Sequence, residues 1–254
     1  MNGKPSARVA ARIQTARAVT KAIDLHAPRV VVALAATAPA LPGEVITAVL
    51  AGASATLKTA TASLEGAEQL YAAEQADDQG PRERRDAATD AGVTTMQLAR
   101  AALLAGLGAG APQAYGVAGE LRRDPTQVLP ALRNAARMLN DKPQENKDAF
   151  GNVFSTAGVL VAVNAAAQAL DLAMDGVATE ARELQGALVD RDNALAAWQQ
   201  AYVFAAGIGE HFFRLAGEVR LAEYLRPTVR KTTGEEAAAP EPPVPEPVPV
   251  PPVE

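Results

Sequence analysis

Two histidines, His26 and His211, are the first residues that could do chemistry in this chain. A carboxylate-bridged di-iron bundle needs a Glu three residues ahead of each ligating His, with two further carboxylates facing them. Positions 23 and 208 are both Ile, so neither His belongs to such a motif. Glu210 and His211 are adjacent, which turns them to different faces of a helix. Beside Phe212 and Phe213, His211 reads as an ordinary helical residue. Cysteine is absent, which removes disulfides, thiolate ligands and cysteine nucleophiles. Gly106-Leu107-Gly108-Ala109-Gly110 has the glycine density of a phosphate-binding turn, but no strand precedes it and no Gly-Lys-Ser/Thr follows. It is read as a helix terminator. An enzyme would have to be assembled from Asp, Glu, Arg and Tyr, and no constellation of these stands out. The expectation is a non-enzymatic protein with no catalytic residue, no cofactor and no metal.

Two further groups are candidates for contact with a partner. The charged run Arg82-Glu83-Arg84-Arg85-Asp86 has a counterpart in Asp190-Arg191-Asp192. Arg85 and Arg191 are candidate recognition residues, although mixed charges of this kind ordinarily form solvated local pairs worth a few tenths of a kcal/mol. They could also pair with one another's aspartates across an internal twofold. Trp198, Tyr202, Phe204, Phe212 and Phe213 gather half of the chain's ten aromatics in one segment. Core filling accounts for Trp198 and Phe212, which leaves Tyr202, Phe204 and Phe213 as candidate anchors for an interface.

The elements that must position these residues are helical throughout. Only 4% of the residues are aromatic while 48% are hydrophobic, and much of that fraction is alanine. This disfavours a β-sandwich, which draws on aromatic and β-branched side chains. Helical periodicity places a first helix at about Ser6–Ala27, which Pro28 bends or restarts, with a continuation to Ala38. A long helix at about Glu44–Ala76 carries Leu50, Leu57, Leu64 and Tyr71 at intervals of seven, with Ala53, Ala60 and Ala67 on the companion row. That coiled-coil seam suits a closely approached antiparallel partner. Asp77-Asp78-Gln79-Gly80-Pro81 reads as its stop, followed by a helix at about Pro81–Leu107. Shorter helices are expected at Ala114–Leu121 and Thr126–Leu139. A second long pair is expected at Phe150–Ala178 and Thr179–Leu225. Its rows are Leu160/Ala167/Met174 and Val163/Leu170/Val177 in the first helix, then Leu188/Leu195/Tyr202 and Trp198/Ala205/Phe212 in the second.

The two pairs resemble each other. A shift of 106 residues sets Gln79-Gly80 on Gln185-Gly186, Arg85-Asp86 on Arg191-Asp192, Leu64 on Leu170 and Ala67 on Ala173. The trailing phrase Ala118-Gly119-Glu120-Leu121-Arg122 recurs as Ala216-Gly217-Glu218-Val219-Arg220. The expected fold is therefore all-α: an elongated four- to six-helix bundle over residues 1–231, built from two duplicated antiparallel helical hairpins at about 43–126 and 149–228.

Residues 232–254 differ in kind. Eight of the chain's 18 prolines lie between Pro240 and Pro252, and such a run cannot donate the hydrogen bonds of helix or sheet. A disordered proline-rich tail with extended polyproline II character is expected, serving as a spacer or as a ligand for a polyproline-binding partner. A net charge of -5 gives no pull toward phosphate backbones, so nucleic acid is not an expected partner. No uninterrupted apolar run follows the first residues, and Asn164, Gln168 and Asp171 interrupt the most apolar stretch, Val153 to Met174. Neither a secretory signal nor a membrane span is expected, and the chain is placed in the cytoplasm. The function these features favour is a helical scaffold or adaptor that associates with itself, as a homodimer, or with another protein. The alternative is a carrier or sensor holding a small apolar ligand between alanine-rich helices.

Overall fold

Ser6 opens the first helix by accepting a hydrogen bond from the Val9 amide, and apolar residues at helical spacing then bury one stripe of it. In the computed structural model, which describes residues 6–77, 79–147 and 153–235, this helix is α1, Ala7–Thr37. Pro28 lies inside it and does not end it. Val30 and Leu34 are fully buried and continue the stripe set by Ile13, Val19 and Ile23. Packing on both sides of the proline thus holds the helix across the missing hydrogen bond.

The remaining elements are α2 (Gly43–Asp77), α3 (Gln79–Leu107), α4 (Ala111–Ala114), α5 (Pro125–Asp141), β1 (Glu145–Lys147), β2 (Val153–Ser155), α6 (Thr156–Leu215), α7 (Val219–Leu225) and α8 (Val229–Thr233). Among the described residues the fold is all-α apart from one antiparallel ribbon. Leu50, Leu57 and Leu64 are fully buried, as the seven-residue spacing requires. Pro81, expected in the first turn of the next helix, is the third residue of α3, where a proline needs no hydrogen-bond partner. Asp78 and the expected tail from residue 236 onward lie outside the described residues.

The largest correction concerns the second hairpin. Residues 178 and 179 lie within α6, a single helix of 60 residues, so the chain does not turn back there. Ala178-Thr179-Glu180-Ala181-Arg182-Glu183-Leu184 contains no Pro or Gly, and Arg182 bonds back to the Ala178 carbonyl and the Thr179 hydroxyl. Strong helix formers therefore carry α6 through the expected turn. A second correction lies just before it: the expected helix start at Phe150 lies outside the described residues, and Val153–Ser155, expected to be helical, form β2, which pairs Asn146 with Phe154. The buried Thr156 hydroxyl closes this ribbon, accepting from the Gln144 amide at 2.9 Å. The expected helix at Ala114–Leu121 does not form: α4 ends at Ala114, and residues 115–121 are turn and loop.

The chain divides into two compact units, Met1–Ala73 with Gln185–Glu254, and Glu74–Leu184. The core of the first brings α1 and α2 together with the later part of α6 and α7, around Ile23, Leu57, Leu64, Trp198, Tyr202 and Phe213. The core of the second unit gathers α3, α5 and the earlier part of α6 around Leu103, Leu132, Leu139, Val163 and Leu170. Gly92 on α3 meets Val128 and Leu132 of α5 so closely that a Cβ there would lie 2.8 Å from Val128 Cγ1. By length and composition, two helical stretches are apolar enough to cross a membrane, Gly43–Leu107 and Thr156–Leu215.

Candidate functional site

The five residues singled out as contact candidates part company in the structure. Tyr202 and Phe213 are fully buried and present no surface, which corrects their assignment as interface anchors. Tyr202 stacks on Trp198 with ring centroids 5.1 Å apart, and Phe213 meets the edge of His26 at 6.3 Å. The cause is the period of the helix. Phe213 follows Ala206 by seven residues and Tyr202 by eleven, three helical turns, so it shares their buried face, whereas Phe212 lies beside that face and is half-buried. Phe204 alone is half exposed, on a shallow surface with Val203, Ala196, Gln199 and Gln200.

Arg85 and Arg191 also take structural parts. Arg85 pairs with Asp86 at 2.6 Å and Arg191 with Asp192 at 2.9 Å, each with its own neighbour and not across an internal twofold. The Arg191 guanidinium lies 4.4 Å from the centre of the Tyr71 ring, a cation–π contact that ties α6 to α2. Burial works against the charged form of Arg191, but the Asp192 hydrogen bond and the nearby Glu68 and Tyr71 outweigh it and leave its pKa raised.

Glu68, unremarked in the sequence, is the buried carboxylate at this end of α2. One oxygen accepts the Ser6 amide at 2.8 Å. The other has no hydrogen-bond partner among the described residues. Its charge faces Arg12 and Arg191, and on the Arg12 side it offsets burial and Arg8, which together lower the Arg12 pKa. The arrangement clasps the start of α1 to α2 and α6. The signal in the sequence was spacing alone: Glu68 follows Leu64 by four residues and Thr61 by seven, placing it on the buried face.

A second acidic group lies in the other unit. Carboxylate oxygens of Glu74, Glu180 and Glu183 come within 4.8 Å of one another. The Glu180 pKa is raised by partial desolvation, then by Glu183, Asp77 and Glu74, with Arg84 opposing. The 106-residue shift that relates the long segments also carries Glu74 and Asp77 onto Glu180 and Glu183. Such a donor set suits a hard divalent cation.

The most extended surface feature is on α6. An 18-residue stretch there has a mean hydropathy of 1.5, yet only 17% of it is buried. Val161 is 69% exposed and Leu172 is 73% exposed. They lie eleven residues apart, three helical turns, and so share one face with the exposed Ala165, Gln168 and Ala169 between them. The rows expected to form a seam, Leu160/Ala167/Met174 and Val163/Leu170/Val177, are buried or half-buried, and Val161 and Leu172 lie outside them. No protein-family model, curated protein or solved structure matches the chain.

Proposed function

We propose that the chain is a non-enzymatic helical scaffold or adaptor that associates with a second copy or with another protein through the exposed face of α6. The observation that carries this reading is the bare apolar stripe holding Val161 and Leu172. Apolar side chains left in water at this density favour association, since each large one covered contributes about 1.5–3 kcal/mol before the costs of binding. Alanines between them allow a second helix to approach closely. Phe204 offers a further exposed aromatic on the same helix. The proposal places the protein in the cytoplasm, without nucleic acid, membrane or cofactor.

An internal duplication supports the scaffold reading in a revised form. The second copy is not a hairpin, since its two expected helices are one, α6, followed by the trailing phrase. At the 106-residue shift Leu57 and Val163 are both fully buried, as are Leu64 and Leu170, and Ala99 matches the buried Ala205. The local Arg85–Asp86 and Arg191–Asp192 pairs recur in the same register.

Native mass spectrometry of the full chain tests the proposal against the double variant Val161→Glu/Leu172→Glu. The expected result is an assembly of two or more chains that the variant reduces to a monomer with unchanged far-UV circular dichroism. A wild-type monomer that retains no partner in pull-downs would overturn it. Flotation of the protein with liposomes would assign the stripe to a membrane surface instead. A bound mass lost on denaturation would favour the apolar-ligand carrier.

A further inference from the structure

Val93, Met96, Gln97 and Arg100 recur on α3 at intervals of three, one and three residues, which sets them on one face of the helix. The segment that follows α4 runs past this face and is anchored at its start. The Tyr115 hydroxyl donates to the Lys142 carbonyl at 2.7 Å, and the Val117 amide to the Pro112 carbonyl at 2.9 Å. Helix and segment together enclose a depression of about 290 Å³. Its apolar lining is covered, with Val93, Met96 and Val117 buried and Leu121 half-buried. Its polar lining is exposed: Gln97 and Arg100 on the helix, Glu120 on the segment.

These polar groups find no partner in the fold. Arg100 and Glu120 line one depression without pairing, and neither their side chains nor that of Gln97 make a hydrogen bond or ion pair among the described residues. The amides of Gly119, Glu120 and Leu121 likewise meet no backbone acceptor among the described residues.

A second occurrence of the same phrase shows the closed form of this arrangement. Ala118-Gly119-Glu120-Leu121 recurs as Ala216-Gly217-Glu218-Val219 at the end of α6. There the Gly217 amide bonds the Arg214 carbonyl at 3.1 Å and the Glu218 amide bonds the Phe213 carbonyl at 2.9 Å, which closes the helix end. The Glu218 carboxylate takes Arg29 at 2.7 Å. The position equivalent to Arg100 is Ala206, fully buried. The helices match at a shift of 106 residues and the phrases at a shift of 98, so eight extra residues, α4 among them, hold the first phrase off the end of α3. Groups that are satisfied within the fold at the second phrase are thus left open around a depression at the first.

We infer that this depression binds a free α-amino acid with an aliphatic side chain. Its carboxylate meets Arg100 and the amides of the Gly119–Leu121 stretch, which supply charge-assisted hydrogen bonds. Its ammonium meets Glu120, and its side chain lies on Val93, Met96 and Val117. A zwitterion answers both charges at once, whereas a bare carboxylate sets Glu120 against like charge and a bare amine does the same to Arg100. Small-molecule sites span about 300–1,000 Å³, and this one sits at the lower end, which suits a ligand of a few carbons. The site lies apart from the α6 stripe and does not depend on self-association.

Titration of the full-length protein with L-leucine, followed by saturation-transfer difference NMR, tests this. Saturable binding is expected, with L-valine, L-isoleucine and L-methionine competing for the same site. Arg100→Ala and Glu120→Gln change exposed side chains, so both variants should keep the wild-type far-UV circular dichroism. Each should weaken leucine binding about tenfold, or about 1.4 kcal/mol. Isocaproate, which is leucine without its amine, should bind the wild type about tenfold more weakly than leucine. It should gain from Glu120→Gln, which removes the like charge. Leucine binding left unchanged by either variant would overturn the inference. Isocaproate binding as tight as that of leucine would remove the ammonium contact and overturn the choice of a zwitterion. No saturable binding of any of these amino acids up to about 10 mM, beyond the millimolar range that a few contacts reach, would overturn the site itself.

Discussion

Replacing Gly209 with Ala sets two effects of known size against each other at one point of the first unit's core. Alanine in a helix interior is better than glycine by about 0.5–1 kcal/mol. Against that, a Cβ at 209 would lie 2.8 Å from Leu225 Cδ1 and 3.3 Å from Ile23 Cγ1. Both neighbours are fully buried and held by α7 and α1. Inserting a methyl into a packed core costs about 1–3 kcal/mol. The nearest atom is the tip of a leucine, which can give a little, so the lower half of that range applies. The net expectation for Gly209→Ala is a loss of about 0–1.5 kcal/mol. Gly207, two residues earlier on the same helix, has nothing within 4 Å of its Cβ position. Gly207→Ala therefore receives the propensity gain alone, about 0.5–1 kcal/mol. Urea unfolding followed by far-UV circular dichroism should separate the two variants by about 1–2 kcal/mol at a common slope. Equal stability of the two, or a more stable Gly209→Ala, would refute the close approach of α6 to α1 and α7 at this point.

Leu64→Asp buries a carboxylate at a fully covered site, and loss of packing and charge burial together should cost on the order of 4–5 kcal/mol. Unchanged helicity and thermal midpoint would remove Leu64 from the core. Asp124 caps α5, and the Thr126 hydroxyl and then the Thr126 amide hold its carboxyl below the ordinary range. A depressed carboxyl stabilises the fold above its unfolded pKa, so wild type should exceed Asp124→Ala at pH 7. That difference should shrink as pH falls below about 4; a gap unchanged at pH 2 would count against the cap. Glu180 has its pKa raised by desolvation and acidic neighbours, so its charge opposes folding as pH rises through that value. Glu180→Gln should then melt higher at pH 7 and no higher at acidic pH. If calcium or magnesium raises the wild-type midpoint and not the variant's, the carboxylates hold a cation.

Much of the helical content follows from local pattern. The alanine-rich composition, the leucines at 50, 57 and 64, and the Asp124 cap ahead of Pro125 dictate helices whatever their neighbours, because periodicity and capping act within a few residues. Where helices continue is a different matter. Nothing near residue 178 stops α6, and Pro28 fails to stop α1 because Val30 and Leu34 find a core beyond it. The β1–β2 ribbon depends on Thr156 closing on Gln144, a pairing that a run of apolar residues at 153–155 does not announce. Side-chain fate was decided at the same level. The seven-residue row through Trp198 and Ala205 points to Phe212, yet it is Phe213, eleven residues after Tyr202, that is buried against His26. Glu68 and the Glu74–Glu180–Glu183 group came together only because distant stretches fold side by side. Sequence fixes which stretches are helical and which face is apolar. Tertiary packing alone settles which apolar face is covered, and on α6 it leaves Val161 and Leu172 in water.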